Sequence, residues 1–250
     1  MVMPYAWIIG SILVVSLTSL IGVCVLALHT AALKKIMLYL VSFSTGALLG
    51  NVFLHLLPEM VHMTGEEGFL LVLVGLLLSF IIEKFIHWRH CHSLECDGHV
   101  HPVGPLVIIG DAAHNIIDGI LIATAYLVSI PLGVATTTAV FLHEVPQEFG
   151  DFAVLIHSGM SKSKALLFNF FSALTAFIGA ALVIVLTDAV EGIEHILVPL
   201  AAGNFLYIAG SDLIPELHKE SRASKALLQL VCMVAGIGLM MMLASGEVPH

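Results

Sequence analysis

Eight long apolar runs separated by short polar loops organise this chain. They lie at about 4–28, 36–60, 68–88, 103–127, 131–157, 164–187, 195–217 and 225–245. A helix needs ~20 mostly apolar residues to cross the hydrocarbon core of a bilayer. The pattern therefore predicts an all-α polytopic membrane protein with eight transmembrane helices. The first run, from Pro4 to about Leu28, has no basic leading segment and no small-residue cleavage site. It is read as a true span and not as a removed signal peptide.

Composition agrees. Charged residues make up 11% of the 250-residue chain, against about 25% in a soluble domain. Mean hydropathy is +1.04. The nine Lys and Arg residues set an orientation. Lys34 and Lys35 lie between spans 1 and 2, and Lys84 and Arg89 at the end of span 3. Lys162 and Lys164 lie between spans 5 and 6, and Lys219, Arg222 and Lys225 between spans 7 and 8. All fall on one side, which the positive-inside rule makes cytoplasmic, so both termini are expected outside. The opposite loops carry Glu66, Glu67, Asp188, Glu191 and Glu194. Cys24, Cys91, Cys96 and Cys232 suggest no disulfide framework.

A repeat is visible between spans 2 and 7. TGALLGNVFLHLLPEM at 45–60 and AGNFLYIAGSDLIPEL at 202–217 share Gly46 with Gly203, Leu56 with Leu213, Pro58 with Pro215 and Glu59 with Glu216. His55 then matches Asp212. One motif in two opposite orientations is a transporter signature, with a site expected near the midplane.

Spans 4 and 5 carry the densest polar stripes. Asp111, His114, Asn115 and Asp118 are spaced i, i+3, i+4, i+7, and at 100° per residue they occupy one face of a helix. His143, Glu144, Gln147, Glu148 and Asp151 form a similar stripe on span 5. Asp111, Asp118, Glu144 and Glu148 would together cost on the order of 10 kcal/mol if left unpaired at the bilayer centre. No Lys or Arg is near enough in the sequence to pair with them. A divalent cation fits, because imidazole nitrogen and carboxylate oxygen suit Zn²⁺, Fe²⁺ or Mn²⁺. The pairs His114/Asp118 and His143/Gln147 each direct two ligands to one spot from one helix. Pro146 removes a hydrogen bond to the Leu142 carbonyl and kinks the helix there. The competing reading is a set of polar groups that only hold helices together.

Asn51, His55 and Glu59 step along span 2 and are expected to form an outer vestibule, with Asp212 and Glu216 on span 7 as an inner exit. Asp111 and Glu148 join the same pathway. The loop at 89–102 is rich in histidine and cysteine. Its His90, Cys91, His92, Cys96, His99 and His101 suit loose capture of a metal ion, although no pair has the spacing of a structural zinc site.

HNIIDG at 114–119 and HEVPQE at 143–148 resemble the fourth- and fifth-helix motifs of the ZIP (Zrt/Irt-like) metal transporters, with Gln147 where many members have His. GALLGNVFLHLLPE and AAGNFLYIAGSDLIPE resemble that family's second and seventh helices. The resemblance covers nearly the whole chain, 1–250, as one transporter domain. It implies a 3+2+3 arrangement of helices, with 1–3 and 6–8 as the inverted repeat, and a homodimer. It also implies a binuclear-type site between helices 4 and 5. Carried over by position, one subsite takes His114, Asp118, His143 and Gln147, and the other takes Asn115, Asp118, Glu144 and Gln147. Ala176 stands where some members place a helix-6 carboxylate.

The expected function is transport of divalent metal ions, foremost Zn²⁺ uptake into the cytoplasm, with Cd²⁺, Fe²⁺ or Mn²⁺ as alternative substrates. The expected setting is a multi-pass protein of a bacterial inner membrane, with the lipid bilayer and no nucleic acid as partner. Two rival classes are weaker. An intramembrane metalloprotease would need H-E-x-x-H, and Gln147 replaces its second histidine. A metal sensor would need a soluble signalling region, and no segment is long enough to be one.

Overall fold

The computed structural model describes residues 4–21, 30–88, 103–157, 160–189 and 192–245, and all elements among them are helical. Helix α1 (Tyr5–Ser16) continues into a 3₁₀ turn, Leu17–Ile21. Helix α2 (Thr30–Asn51) passes through a π turn, Val52–Leu56, into α3 (Leu57–Thr64). After a 3₁₀ turn come α4 (Gly68–Trp88), α5 (Val103–Val128) and α6 (Ile130–His157). Helices α7 (Lys162–Ala173) and α8 (Ala176–Ala189) follow, then α9 (Glu194–Ile208). A second π turn, Ala209–Leu213, joins α9 to α10 (Ile214–Leu217), and α11 (Ala223–Ser245) ends the described chain. The His/Cys loop with His90, Cys91, His92, Cys96, His99 and His101 lies outside the described residues.

Five stretches are long and apolar enough to cross a membrane: 38–84, 107–128, 162–187, 194–217 and 223–244. The first is not a single rod. It breaks at Gly65–Glu67, where Gly65 takes the left-handed φ of +65°. Helix α6 has 28 residues but is not among the five. The polar stripe from His143 to Asp151 lowers its apolarity. The described part of the first apolar run, Tyr5–Ile21, is shorter than a full span.

The outward surface is apolar. Leu70 and Met242 are each 67% exposed, and Ile109 is 62% exposed. A soluble protein rarely leaves so much contiguous apolar area in water, whereas a bilayer solvates it. The interior holds the polar groups instead, among them Asn51, His55, Asp111, Asn115, Asp118, His143, Glu144, Glu148 and Asn169. This is a polytopic helical membrane protein.

Small residues decide which helices lie together. A Cβ added to Gly46 or Gly236 would collide with backbone of the partner helix, at Met233 and Phe43, which locks α2 against α11. Gly75 and Gly203 do the same between α4 and α9, and Gly119 and Gly179 between α5 and α8. Without a hydrophobic force between helices in lipid, such close backbone approach supplies the packing. Helix α5 also packs along α6, and this pair carries both polar stripes.

Candidate metal centre

His143 is set by its own helix. Its Nδ1 lies 3.1 Å from the Ala139 carbonyl, which can only accept, so Nδ1 is the donor there and Nε2 is the nitrogen left to face a ligand. Phe205 of α9 packs edge-on against the ring, with centroids 6.1 Å apart. Pro146, inside α6, cannot donate to Leu142. Ser44 Oγ of α2 donates to that freed carbonyl instead. This is how helices at membrane depth re-satisfy backbone next to a proline. The Leu142 oxygen, expected from the sequence to lose its helical partner at Pro146, is taken up by Ser44.

From α5, His114 Nε2 lies 3.3 Å from His143 Nε2. The two carboxylates complete the cluster. Asp118 Oδ2 is 3.7 Å from His114 Nε2 and 3.4 Å from His143 Nε2. Glu144 Oε1 is 3.3 Å and 3.7 Å from the same two atoms. The four residues offer ligand atoms that all lie within 4.8 Å of one another. Asp118, His143 and Glu144 are buried, and His114 is the most open of the four, with its side chain 20% exposed. Neither carboxylate accepts a hydrogen bond from the described residues, and no Lys or Arg among them pairs with either. Two imidazole nitrogens and two carboxylates without another partner form a donor set for a divalent cation of the zinc type.

The remaining stripe residues lie close by. Asn115 Nδ2 donates to Asp111 Oδ1 at 2.9 Å and to the Asp111 carbonyl at 3.1 Å, and its own Oδ1 has no partner among the described residues. Gln147 is half-buried and lines the same space as His114 and His143. Ala176 is buried and carries no ligand.

The chain is similar to known proteins over most of its length. The family described as "ZIP Zinc transporter" matches residues 5–105 and 89–244. The chain belongs to the ZIP zinc transporter family.

Among ZIP relatives, zinc transporter ZIP13 of Pongo abelii is 34% identical over 221 residues, covering 81% of this chain and 65% of that protein. Zinc transporter ZIP4 of Mus musculus is 29% identical over 277 residues, covering 81% of this chain and 42% of that protein. Zinc transporter foi of Drosophila melanogaster is 37% identical over 143 residues, covering 57% of this chain and 20% of that protein. The chain thus spans between a fifth and just under two thirds of the length of these relatives. All three come from animals, so they lend no support to the bacterial inner membrane expected from the sequence.

A cavity of about 1200 Å³ meets the cluster at His114 and His143. Its walls continue past Asp111 and Asp151 to Asp212, Glu216 and Leu217. Asp212 accepts from Ser211 Oγ, and Glu216 is exposed and paired with Lys219. His55 is not among the cavity's lining residues; it is 3% exposed, and neither ring nitrogen has a hydrogen-bond partner among the described residues. Asn51 reaches Thr136 Oγ1 at 3.5 Å, and Glu59 is half-buried one turn beyond His55.

Three polar residues escaped the sequence reading. Asn169 and Ser172 of α7 donate to Glu148 and Asp111. Asn204 of α9 accepts from Ser79 Oγ at 2.8 Å and lines the cavity. The signal for the first pair was the i, i+3 spacing of Asn169 and Ser172 inside an apolar run.

Proposed function

We propose that this ZIP chain carries divalent metal ions, foremost Zn²⁺, across a bilayer into the cytoplasm, through a site between α5 and α6. The observation that carries the reading is the cluster of His114 with the buried Asp118, His143 and Glu144, whose ligand atoms lie within 4.8 Å of one another. No Lys or Arg among the described residues pairs with these groups, so an ion that visits and leaves is the natural counter-charge. Asn115 and Gln147 supply neutral oxygens beside it. Asn51, His55 and Glu59 form the entry, and Asp111, Glu148, Asp212 and Glu216 the exit. Cd²⁺, Fe²⁺ and Mn²⁺ are secondary substrates.

The direction rests on charge. Lys84, Lys162, Lys164, Lys219, Arg222 and Lys225 lie at the helix ends nearest the cavity wall formed by Glu83, Val154 and Glu216. The positive-inside rule makes that side cytoplasmic. In this reading eight spans cross the membrane in a 3+2+3 order with both termini outside, and two chains associate as a homodimer. In this reading the cavity that His114 and His143 line opens to the basic side, and the carrier faces the cytoplasm.

The relatives are all named as zinc transporters, and that favours transport over proteolysis or sensing. The test is metal flux in proteoliposomes, with Zn²⁺ against Cd²⁺, Fe²⁺ and Mn²⁺ in competition. Zinc influx that depends on His143 supports the reading. Zinc binding without flux would overturn it.

A further inference from the structure

A second group of carboxylates adjoins the first cluster. Asp111, Glu144 and Glu148 offer oxygens that lie within 4.8 Å of one another, and all three residues are buried. Asp111 is one turn before His114 on α5, and Glu148 one turn after Glu144 on α6. The two helices are antiparallel neighbours in the proposed topology. Both steps therefore lead the same way, from the histidines toward the cavity that Asp111 lines.

The neighbours of these carboxylates hold them in place without neutralising them. Asn115 Nδ2 donates to Asp111 Oδ1, and Ser172 Oγ to Asp111 Oδ2. Asn169 Nδ2 donates to Glu148 Oε2. All three donors are uncharged. Glu148 is 0% exposed, yet its Oε1 has no hydrogen-bond partner among the described residues, and neither oxygen of Glu144 has one. A buried carboxylate held on one oxygen and left bare on the other has an acceptor ready for a cation. Three carboxylates this close repel one another strongly at low dielectric, and no Lys or Arg among the described residues pairs with them.

We infer that Asp111, Glu144 and Glu148 form a second, all-oxygen divalent-cation site, oriented by Asn169 and Ser172 of α7, which receives the metal ion after the histidine cluster. The inference rests on the transport reading for its place in the pathway, but not for the binding itself. An oxygen-only site binds zinc less tightly than one with imidazoles and ranks Mn²⁺ relatively higher. It thus suits an ion on its way out. Glu144 belongs to both groups and provides the hand-over point.

The chemistry of the two sites differs enough to be read directly. The full chain, purified in detergent and loaded with ¹¹³Cd²⁺, is expected to give two cadmium resonances. One arises from mixed nitrogen and oxygen ligands, the other from oxygens alone and lies upfield. Asp111→Asn and Glu148→Gln are each expected to remove the oxygen-only resonance and leave the mixed one. His143→Ala is expected to do the reverse. Asn169→Leu removes no ligand, and is expected to weaken the oxygen-only site about 10-fold, as loss of an outer partner does, with the mixed resonance unchanged. A single resonance in the unmodified chain overturns the second site, and so does an oxygen-only resonance that survives both carboxylate variants. Zinc flux in proteoliposomes separates the two claims. Flux with one resonance leaves transport standing and removes the second site. Two resonances without flux leave the site standing and remove transport.

Discussion

His55 and Asp212 occupy the same place in two copies of one distorted helix. Each lies in a π turn, Val52–Leu56 and Ala209–Leu213, and each turn closes with a bond five residues long, Leu57 N–H to Val52 O and Ile214 N–H to Ala209 O. The offset between the turns is the one that aligns Gly46 with Gly203 and Pro58 with Pro215. The prolines supply the physical cause. Each lacks an N–H and crowds the carbonyl four residues earlier, and a widened turn relieves that crowding. Such bulges occur often at functional positions.

Straightening either turn is therefore expected to turn His55 or Asp212 away from its present position. Pro58→Ala and Pro215→Ala should each lower zinc flux several-fold while the protein still inserts in the membrane. Flux per inserted molecule in proteoliposomes measures this, and unchanged flux in both variants would remove any role for the distortion.

Loss of a central ligand should be more severe. His114→Ala, Asp118→Ala and His143→Ala each delete a donor from a closed set. Loss of an outer partner costs ~10–100-fold in metal affinity, so loss of a direct ligand should reach or exceed the upper end. Equilibrium zinc binding to the purified variants checks this. Near-normal affinity in the Asp118 and His143 variants would remove these residues from the site.

Acidification should weaken zinc binding. A ligating imidazole must be unprotonated, so protons compete with the metal. Apparent affinity should therefore fall between about pH 7.5 and 5.5, and further the more imidazoles the site uses. The sign is fixed, because binding is strongest at the higher pH and lost as pH falls. Isothermal titration with zinc at the two pH values reads it, together with the protons released on binding.

The glycine contacts predict stability. Gly46→Ala and Gly203→Ala each place a methyl group against the backbone of a packed helix, at Met233 and Val72. Overpacking of this kind costs ~1–3 kcal/mol. Gly10→Ala, where nothing lies within 4 Å of the added carbon, is the control. Thermal unfolding in detergent should show a lower midpoint for the first two and little change for the third.

The His/Cys loop should tune transport without being essential to it. Replacing residues 91–101 by a Gly/Ser linker is expected to preserve zinc flux and alter the concentration at which it saturates. Complete loss of flux in a correctly inserted variant would make the loop part of the conduit.

What the sequence by itself determined was the all-helical membrane class and the faces on which the ligands lie. Apolar runs of spanning length can do little else in lipid than form helices. The spacing of His114 with Asp118, and of His143 with Glu144 and Gln147, follows from 3.6 residues per turn. The repeat that pairs Gly46 with Gly203 contains both π turns, which the sequence reading did not anticipate. Only the tertiary structure decided which stripes meet. It brought Glu144 to the two histidines, 3.3 Å from His114, where position in the motif had placed it in a separate subsite with Asn115. It brought Asn169 and Ser172 from α7 to Glu148 and Asp111, and Ser44 from α2 to the Leu142 carbonyl. A periodicity describes one helix at a time. Partners on other helices depend on how closely backbones approach and at what register, and that is set by packing at glycines such as Gly119 and Gly179, which no spacing along a single helix records.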